Sequence, residues 1–205
     1  VATGIFDREA FNVTGLGVLK STDDGETWLE SNNGIDGSLF IGGMAMDHDD
    51  NFMVLGTGNN NDANKGIQGG IFKSIDAGES WQKLYPLKDS DSIDIFTAAT
   101  VAPSNPNIIY VGSSEAIYVS KDGGDNWSRF SGKNGAPYGP PGVRSGVPIE
   151  IAVDPNKPEI VYVNNYGGGV FKSINGAKTW KNFSTGYTGA NVFSIAISSK
   201  NNSHI

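Results

Sequence analysis

A twelve-residue pattern occurs four times in this 205-residue chain, and it limits the possible folds more than any other feature. The copies occupy residues 17–28, 70–81, 116–127 and 169–180. Each copy ends in a tryptophan, and successive tryptophans (Trp28, Trp81, Trp127 and Trp180) are 53, 46 and 53 residues apart. Four occurrences at this spacing predict a repeat architecture, in which every copy forms one supersecondary unit that packs against its neighbours.

The residues within a copy predict a strand, a tight turn and a second strand. In the first copy the strand ends at Ser21, and the carboxylate of Asp23 can accept backbone N–H bonds across the turn that follows. Gly25 supplies the positive φ that the turn needs, and the ring of Trp28 can pack back over the hairpin. A turn signature that recurs in each repeat is expected of a repeat fold, so we expect these aspartates to hold turns rather than to perform catalysis.

The composition favours an all-β protein. Val and Ile occur 14 and 18 times, against 7 Leu, and branched side chains lose little rotamer freedom in strands. The chain has no cysteine, which excludes disulfides, thiolate nucleophiles and cysteine-ligated zinc.

The segment from Ser21 to Trp28 resembles the Asp-box, or BNR repeat, of β-propellers. Sialidases, sortilin-like receptors, family 74 xyloglucanases and many bacterial surface proteins carry this box, so the resemblance implies a fold and leaves the function open. The fourth copy departs from the pattern, because Asn175 replaces the aspartate and Ala177 replaces the glycine. We expect its turn to be weaker or differently shaped.

The resemblance implies an all-β propeller of four four-stranded Asp-box blades. We expect the innermost strands at residues 43–47, 96–102, 149–154 and 192–198. The second strands are expected at residues 52–56, 108–112, 160–164 and 1–4. The third and fourth strands form the box hairpins near residues 17–31, 70–85, 116–131 and 169–184.

The two termini resemble the halves of one more strand. Residues 203–205 followed by 1–4 are similar to residues 107–112, so we predict that one blade is shared between the termini. Residues 1–205 then form a single propeller unit. Two alternatives stay open: an arc cut from a larger propeller, and half of an eight-bladed ring that two copies complete by self-association.

Strand direction alternates in a blade, so the box turns and the first-to-second turns share one face, the box face. The long loops, at residues 4–15, 31–40, 56–70, 85–95 and 131–147, then lie on the opposite, irregular face, where we expect a ligand to bind. Aromatic rings and amides there suit a glycan or a protein segment. The predicted binding residues are Tyr138, Tyr166, Tyr187, Asn165 and Arg144.

A polysaccharide-active, xyloglucanase-like glycoside hydrolase is the alternative to a binding or scaffold module. Such an enzyme needs paired carboxylates, and Asp7 or Asp62 could supply them. The resemblance to family 74 enzymes places Asn165 where those enzymes carry an Asp, and a neutral amide cannot accept a proton near neutral pH. We therefore assign no catalytic residue. A sortilin-like receptor that carries a peptide is a third possibility.

The formal net charge of −7 disfavours nucleic acid and anionic membranes as partners, and we expect no membrane insertion. A location outside the cell or on a bacterial surface is expected from the resemblance to bacterial surface proteins. We expect no cofactor. The acidic run with Asp89, Asp91 and Asp94 could hold calcium, but it lacks the spacing and the glycine of an EF-hand.

Overall fold

The computed structural model describes residues 1, 3, 15–49, 52–85, 94–131, 147–165, 169–184, 192, 194–198 and 200. Within these ranges the fold is all-β, as predicted, with one helix of five residues. The strands form three four-stranded sheets and one two-stranded sheet, and each sheet is a meander in which strands pair in chain order. This is the topology of propeller blades. No helix within the described ranges has the length and apolar character that a membrane crossing requires.

Sheet 1 contains β1 (Leu19–Lys20) and β2 (Leu29–Glu30). The first residues of the chain lie beside β1, because Val1 and Leu19 exchange backbone bonds of 2.6 and 2.8 Å. The backbone N–H of Thr3 donates to the carbonyl of Gly17 at 2.9 Å. Residues 1–4 were predicted as a second strand, and the described ones among them take that position.

Sheets 2 to 4 are complete blades. Sheet 2 contains β3 (Ile41–Met46), β4 (Met53–Thr57), β5 (Ile71–Ser74) and β6 (Gln82–Tyr85), with helix α1 (Asn60–Asn64) between β4 and β5. Sheet 3 contains β7 (Phe96–Val101), β8 (Ile109–Ser113), β9 (Ile117–Ser120) and β10 (Trp127–Phe130). Sheet 4 contains β11 (Pro148–Val153), β12 (Val161–Asn165), β13 (Gly169–Ser173) and β14 (Lys181–Asn182).

The predicted strands agree with these bounds to within one or two residues, except at the end of the chain. The described residues of the segment 192–198 form no strand. Instead, the carbonyl of Val192 and the N–H of Ile195 bond to the side chains of Asn164 and Glu150 in sheet 4.

The chain divides into two compact units, Val1–Thr97 and Ala98–Ile205. In the first unit a cluster of buried apolar side chains includes Ile41, Leu55, Phe72 and Trp81. In the second unit a larger cluster takes residues from sheets 3 and 4, among them Tyr110, Ile117, Val119, Val163 and Phe171. Burial of these faces supplies the main stabilisation. The assignment of residues 1–205 to one propeller unit stays a prediction.

Each box tryptophan lies at the start of the outermost strand of its own sheet, as predicted. Trp28 and Trp127 each donate their indole N–H to a carbonyl of their own box turn, at 3.1 and 2.9 Å. Trp81 differs, because its indole N–H donates to the carbonyl of Ser31 at 2.8 Å. Its backbone N–H donates to the carbonyl of Asn33, also at 2.8 Å. The linker between sheets 1 and 2 is thus fixed along the start of β6.

Candidate ligand-binding site

The box turns are held by the network that their sequence predicts. In the second box the hydroxyl of Ser74 donates to Asp76 at 2.7 Å and accepts the N–H of Gly78 at 2.8 Å. The same aspartate accepts the backbone N–H of Ser80 at 2.9 Å and its hydroxyl at 2.5 Å. All oxygens of this carboxylate are used within the turn, so the predicted structural role of the box is confirmed.

These bonds favour the charged form of the box aspartates. The hydroxyl and backbone of Ser80 lower the pKa of Asp76 from 3.8 to about 2. Thr27 does the same in the first box, where the pKa of Asp23 also falls to about 2. In the third box the backbone and side chain of Asn126 lower the pKa of Asp122. A carboxylate with so low a pKa is a poor proton donor or base near neutral pH.

The fourth box keeps the shape of the others, so the expectation of a different shape is wrong. Asn175 accepts the backbone N–H of Thr179 at 3.0 Å, and its amide nitrogen donates to the Thr179 hydroxyl at 2.8 Å. Two consecutive residues have positive φ, as in the other boxes: Gly176 at 66° and Ala177 at 68°. The asparagine thus makes the same two contacts as the aspartate, but in the side-chain bond its amide donates to the hydroxyl, whereas in the second box the hydroxyl donates to the aspartate. Whether the turn is weaker stays a prediction.

In sheets 3 and 4 the box turn contacts the first-to-second turn of the same sheet. In sheet 3 the N–H of Gly123 donates to the carbonyl of Asn107 at 2.9 Å. In sheet 4 the N–H of Gly176 donates to the carbonyl of Glu159 at the same distance. These bonds confirm that box turns and first-to-second turns share one end of a sheet, called here the box end. The opposite, irregular end carries the second-to-third loops.

One strand position at the irregular end is polar in all four repeats. In sheets 2 to 4 it is the last residue of the second strand, and it lies opposite the residue four positions before the box serine. The first repeat follows the same register, since Thr3 pairs with Gly17 and also donates its hydroxyl to the Gly17 carbonyl at 2.7 Å. The four equivalent residues are Thr3, Thr57, Ser113 and Asn165.

In sheets 2 and 3 the side chain at this position binds the backbone of the loop that follows. The hydroxyl of Thr57 accepts the N–H of Gly70 at 3.0 Å. The hydroxyl of Ser113 accepts the N–H groups of Glu115 and Ala116 at 3.1 and 3.0 Å. Both side chains are completely buried, so these bonds satisfy polar atoms that water cannot reach.

Asn165 occupies this position in sheet 4, and its amide has no hydrogen-bond partner among the residues that the structure describes. Neither the amide nitrogen nor the amide oxygen is bonded, and the residue is 0% exposed. Across the ladder it faces Pro148, which has no backbone N–H, and the register of β11 shifts between Pro148 and Glu150. A buried amide without partners is rare in native structures and calls for an explanation.

The neighbouring Asn164 is fully satisfied. Its amide oxygen accepts the backbone N–H of Glu150 at 2.7 Å, and its amide nitrogen donates to the carbonyl of Val192 at 2.8 Å. Because side chains alternate along a strand, Asn165 lies on the same side of β12 as Val161 and Val163. Those two valines belong to the core cluster with residues of sheet 3. Asn165 therefore continues this core face to its irregular end.

Four of the five predicted binding residues, Tyr138, Arg144, Tyr166 and Tyr187, lie outside the described residues, as do Asp7, Asp89 and Asp91. Asn165 is described and lies at the irregular end of sheet 4, as predicted. The equivalence of Thr3, Thr57 and Ser113 with it escaped the sequence analysis. The signal was available, because each second strand ends in an apolar, a small or amide, and a polar residue: Val-Ala-Thr, Leu-Gly-Thr, Val-Gly-Ser and Val-Asn-Asn.

Of the carboxylates proposed above for catalysis or calcium binding, the structure describes Asp62 and Asp94. Asp62 lies in α1, and its carboxylate accepts the hydroxyl of Ser38 at 2.5 Å. Asp94, one of the three predicted calcium ligands, is buried. Within the described ranges no group of three or more His, Asp or Glu side chains could hold a metal ion.

The sequence pattern of the family described as photosynthesis system II assembly factor YCF48 matches residues 46–203, which is more than half of the chain. The chain belongs to the YCF48 family. The pattern carries the BNR designation, which confirms the identification of the Asp-box as a BNR-type propeller repeat. The matched residues contain the second, third and fourth boxes and the strand-end residues Thr57, Ser113 and Asn165.

This YCF48-family chain is also similar to a glycoside hydrolase. It is 26% identical over 263 aligned positions to xyloglucanase Xgh74A of Acetivibrio thermocellus, an alignment that covers 89% of this chain. The chain spans 30% of the length of that relative.

Solved structures give the same fold. A GH74 xyloglucanase from Xanthomonas campestris has a TM-score of 0.59 and 18% identity, over 78% of this chain and 25% of the other. YCF48 bound to D1 peptide has a TM-score of 0.51 and 17% identity, over 69% of this chain and 40% of the other. At these identities the similarity shows the propeller fold, in agreement with the four sheets described above.

Proposed function

We propose that the chain is a binding propeller that recognises a protein segment at the irregular ends of its sheets. The observation that carries this proposal is the match to the YCF48 family over residues 46–203. It is supported by the structural similarity to YCF48 in a complex with a D1 peptide. The proposed site contains Asn165 together with Tyr138, Arg144, Tyr166 and Tyr187.

The amide and the tyrosine rings of the proposed site suit uncharged parts of a peptide, and Arg144 can pair with a carboxylate. An asparagine amide offers one acceptor and two donor hydrogens without charge, and tyrosine rings offer flat apolar surfaces. The formal net charge of −7 on the whole chain attracts positive charge, so we expect basic peptides to associate faster, and more so at low salt.

The direct test is selection from a displayed library of random twelve-residue peptides against the full chain, with xyloglucan oligosaccharides as a parallel probe. Enriched peptides that bind the isolated chain would support the proposal. A variant with alanine at Tyr138, Tyr166 and Tyr187 should lose this binding, whereas Asn126→Ser, which copies the second box, should keep it. No enrichment, together with measurable oligosaccharide binding, would overturn the proposal in favour of a glycan-binding module.

A polysaccharide hydrolase is the second candidate, and the 26% identity to a xyloglucanase favours it. Asp7 and Asp62 are its proposed carboxylates, the latter beside the hydroxyl of Ser38. Release of reducing sugar from xyloglucan by the full chain, abolished by Asp7→Ala or Asp62→Ala, would support this function. If release survives both substitutions, the carboxylate assignment is refuted.

We further propose that the protein works outside the cytoplasm, at a bacterial surface. The resemblance of the boxes to those of bacterial surface proteins supports this location. Proteolysis of intact cells tests this location, since a surface protein is cleaved while a cytoplasmic control is protected.

A further inference from the structure

We propose that Asn165 is a backbone-binding residue, whose side-chain amide pairs with one C=O and one N–H of an extended peptide at the irregular end of sheet 4. This inference rests on the proposed function and names the chemical group that the site recognises. It begins from an unexplained feature, because both polar atoms of this completely buried side chain lack a partner.

The other three repeats show what this position does. At the same ladder position, Thr3 donates its hydroxyl to a backbone carbonyl. Thr57 and Ser113 accept backbone N–H groups of the loop that follows their strand. In every case the bonding partner is main chain of the protein itself. In the fourth repeat the side chain is longer and carries both a donor and an acceptor, and no main-chain group of the described part of the chain bonds to either.

Asn164 demonstrates the proposed interaction in the same strand. Its amide takes a backbone N–H from Glu150 at 2.7 Å and gives a bond to the backbone carbonyl of Val192 at 2.8 Å. One asparagine amide at this end of β12 thus already joins two main-chain groups. We infer the same pairing for Asn165 on the opposite side of the strand, with the main chain supplied by the ligand.

A peptide fits this side chain better than an ionic ligand does. A neutral amide offers a donor and an acceptor a short distance apart, and so does a peptide backbone. A carboxylate or a metal ion would use only one of the two atoms. The side chain has no exposed surface, so a peptide must displace the groups that cover it. We therefore expect slow association.

The test measures whether a backbone amide of the peptide and the side chain of Asn165 contribute to binding through the same hydrogen bond. It uses a peptide selected from the random library. Each amide of the peptide is replaced in turn by an ester, which removes the N–H and weakens the carbonyl acceptor. One such replacement should weaken binding to the unaltered chain about tenfold, the usual range for a lost hydrogen bond. The same replacement should have little effect on binding to Asn165→Leu. This non-additivity assigns the bond to the asparagine.

Two further variants keep the test decisive. Asn165→Ser places the residue of sheet 3 at the equivalent position, so it should fold even if the leucine variant does not, and it should also bind the peptide about tenfold more weakly. Asn126→Ser makes the same chemical change at the box end of sheet 3 and should bind normally.

The outcomes separate the two proposals. If a peptide binds but both Asn165 variants bind it as well as the unaltered chain does, this inference is overturned and the proposed function stands. A crystal structure of the complex with an ordered water on both amide atoms would also overturn it. If no peptide binds at all, the proposed function fails, and this inference fails with it.

Discussion

The left-handed backbone conformation of the box turns predicts opposite effects on stability for exchanging alanine and glycine in two of them. Ala77 and Gly176 occupy the same place in the second and fourth boxes, with φ of 55° and 66°. In this left-handed region a side chain costs roughly 1–2 kcal/mol. Glycine avoids that cost, but its greater conformational freedom in the unfolded chain lowers the stability of the fold by roughly 0.4–1 kcal/mol. The difference predicts that Ala77→Gly stabilises the protein by about 0.5–1 kcal/mol.

The reverse change should cost a similar amount. A Cβ on Gly176 would lie 3.5 Å from the hydroxyl oxygen of Tyr110, which is ordinary contact, so Gly176→Ala adds no clash. It should therefore destabilise the fold by about 0.5–1 kcal/mol through backbone conformation alone. For a chain of this size such changes move the thermal midpoint by about 1–4 °C in opposite directions.

Calorimetry on the full chain, with urea unfolding followed by tryptophan fluorescence, measures both changes. Ala63→Gly is the matched control, because this alanine lies in α1, where glycine should cost about 1 kcal/mol. The same alanine-to-glycine change then has opposite signs at residues 63 and 77. A loss of stability in Ala77→Gly would refute the argument from backbone handedness.

Three further predictions concern the boxes, the core and the assembly. Because the pKa values of Asp23 and Asp76 fall from 3.8 to about 2 on folding, their bonds stabilise the fold above about pH 4, and this stabilisation is lost as the pH falls to about 2. Asp76→Asn should lose less stability over that interval in urea titrations, and an unchanged pH dependence would contradict the assignment. Tyr110→Phe removes a 2.7 Å hydrogen bond to the carbonyl of Pro158 and should lower the free energy of unfolding by about 1 kcal/mol. Burial and the charge of Glu159 raise the pKa of Tyr110 to about 12, which a spectrophotometric titration should show. Light scattering should give twice the chain mass if two copies complete a larger ring, and the single chain mass would contradict self-association.

The sequence predicted the blades well because their signals are local. The box motif fixed every third and fourth strand, and Pro- and Asn-rich turns located the strands before them. The second strands were predicted to end one residue early, before Thr57, Ser113 and Asn165. Polar residues usually mark the start of a loop. Here all three are buried in the fold, and the pattern of hydrophobic residues in the sequence does not show this burial. Helix α1 was missed for a related reason, since four polar residues and one alanine, capped by Asn59, resemble a loop.

The candidate site was predicted only in part. Sequence reasoning selected Asn165 from its place in a glycine-rich loop beside tyrosines. It could not foresee that the amide lacks a partner, because that depends on three-dimensional distances to backbone groups of other strands. The fourth box was misjudged for the opposite reason. A short asparagine side chain can exchange donor and acceptor roles, so a change in residue type left the turn intact.

The indole of Trp81 depends on a carbonyl that belongs, in sequence, to the preceding repeat. If the first repeat is copied or deleted, this contact is preserved only when the linker that begins at Ser31 and the second box are kept in the same segment. A break placed directly after the outer strand of one repeat keeps that linker with the next. A break placed within the linker would bury an N–H group without an acceptor, at a cost of roughly 1–3 kcal/mol. For the first two repeats, this contact thus favours a break directly after β2.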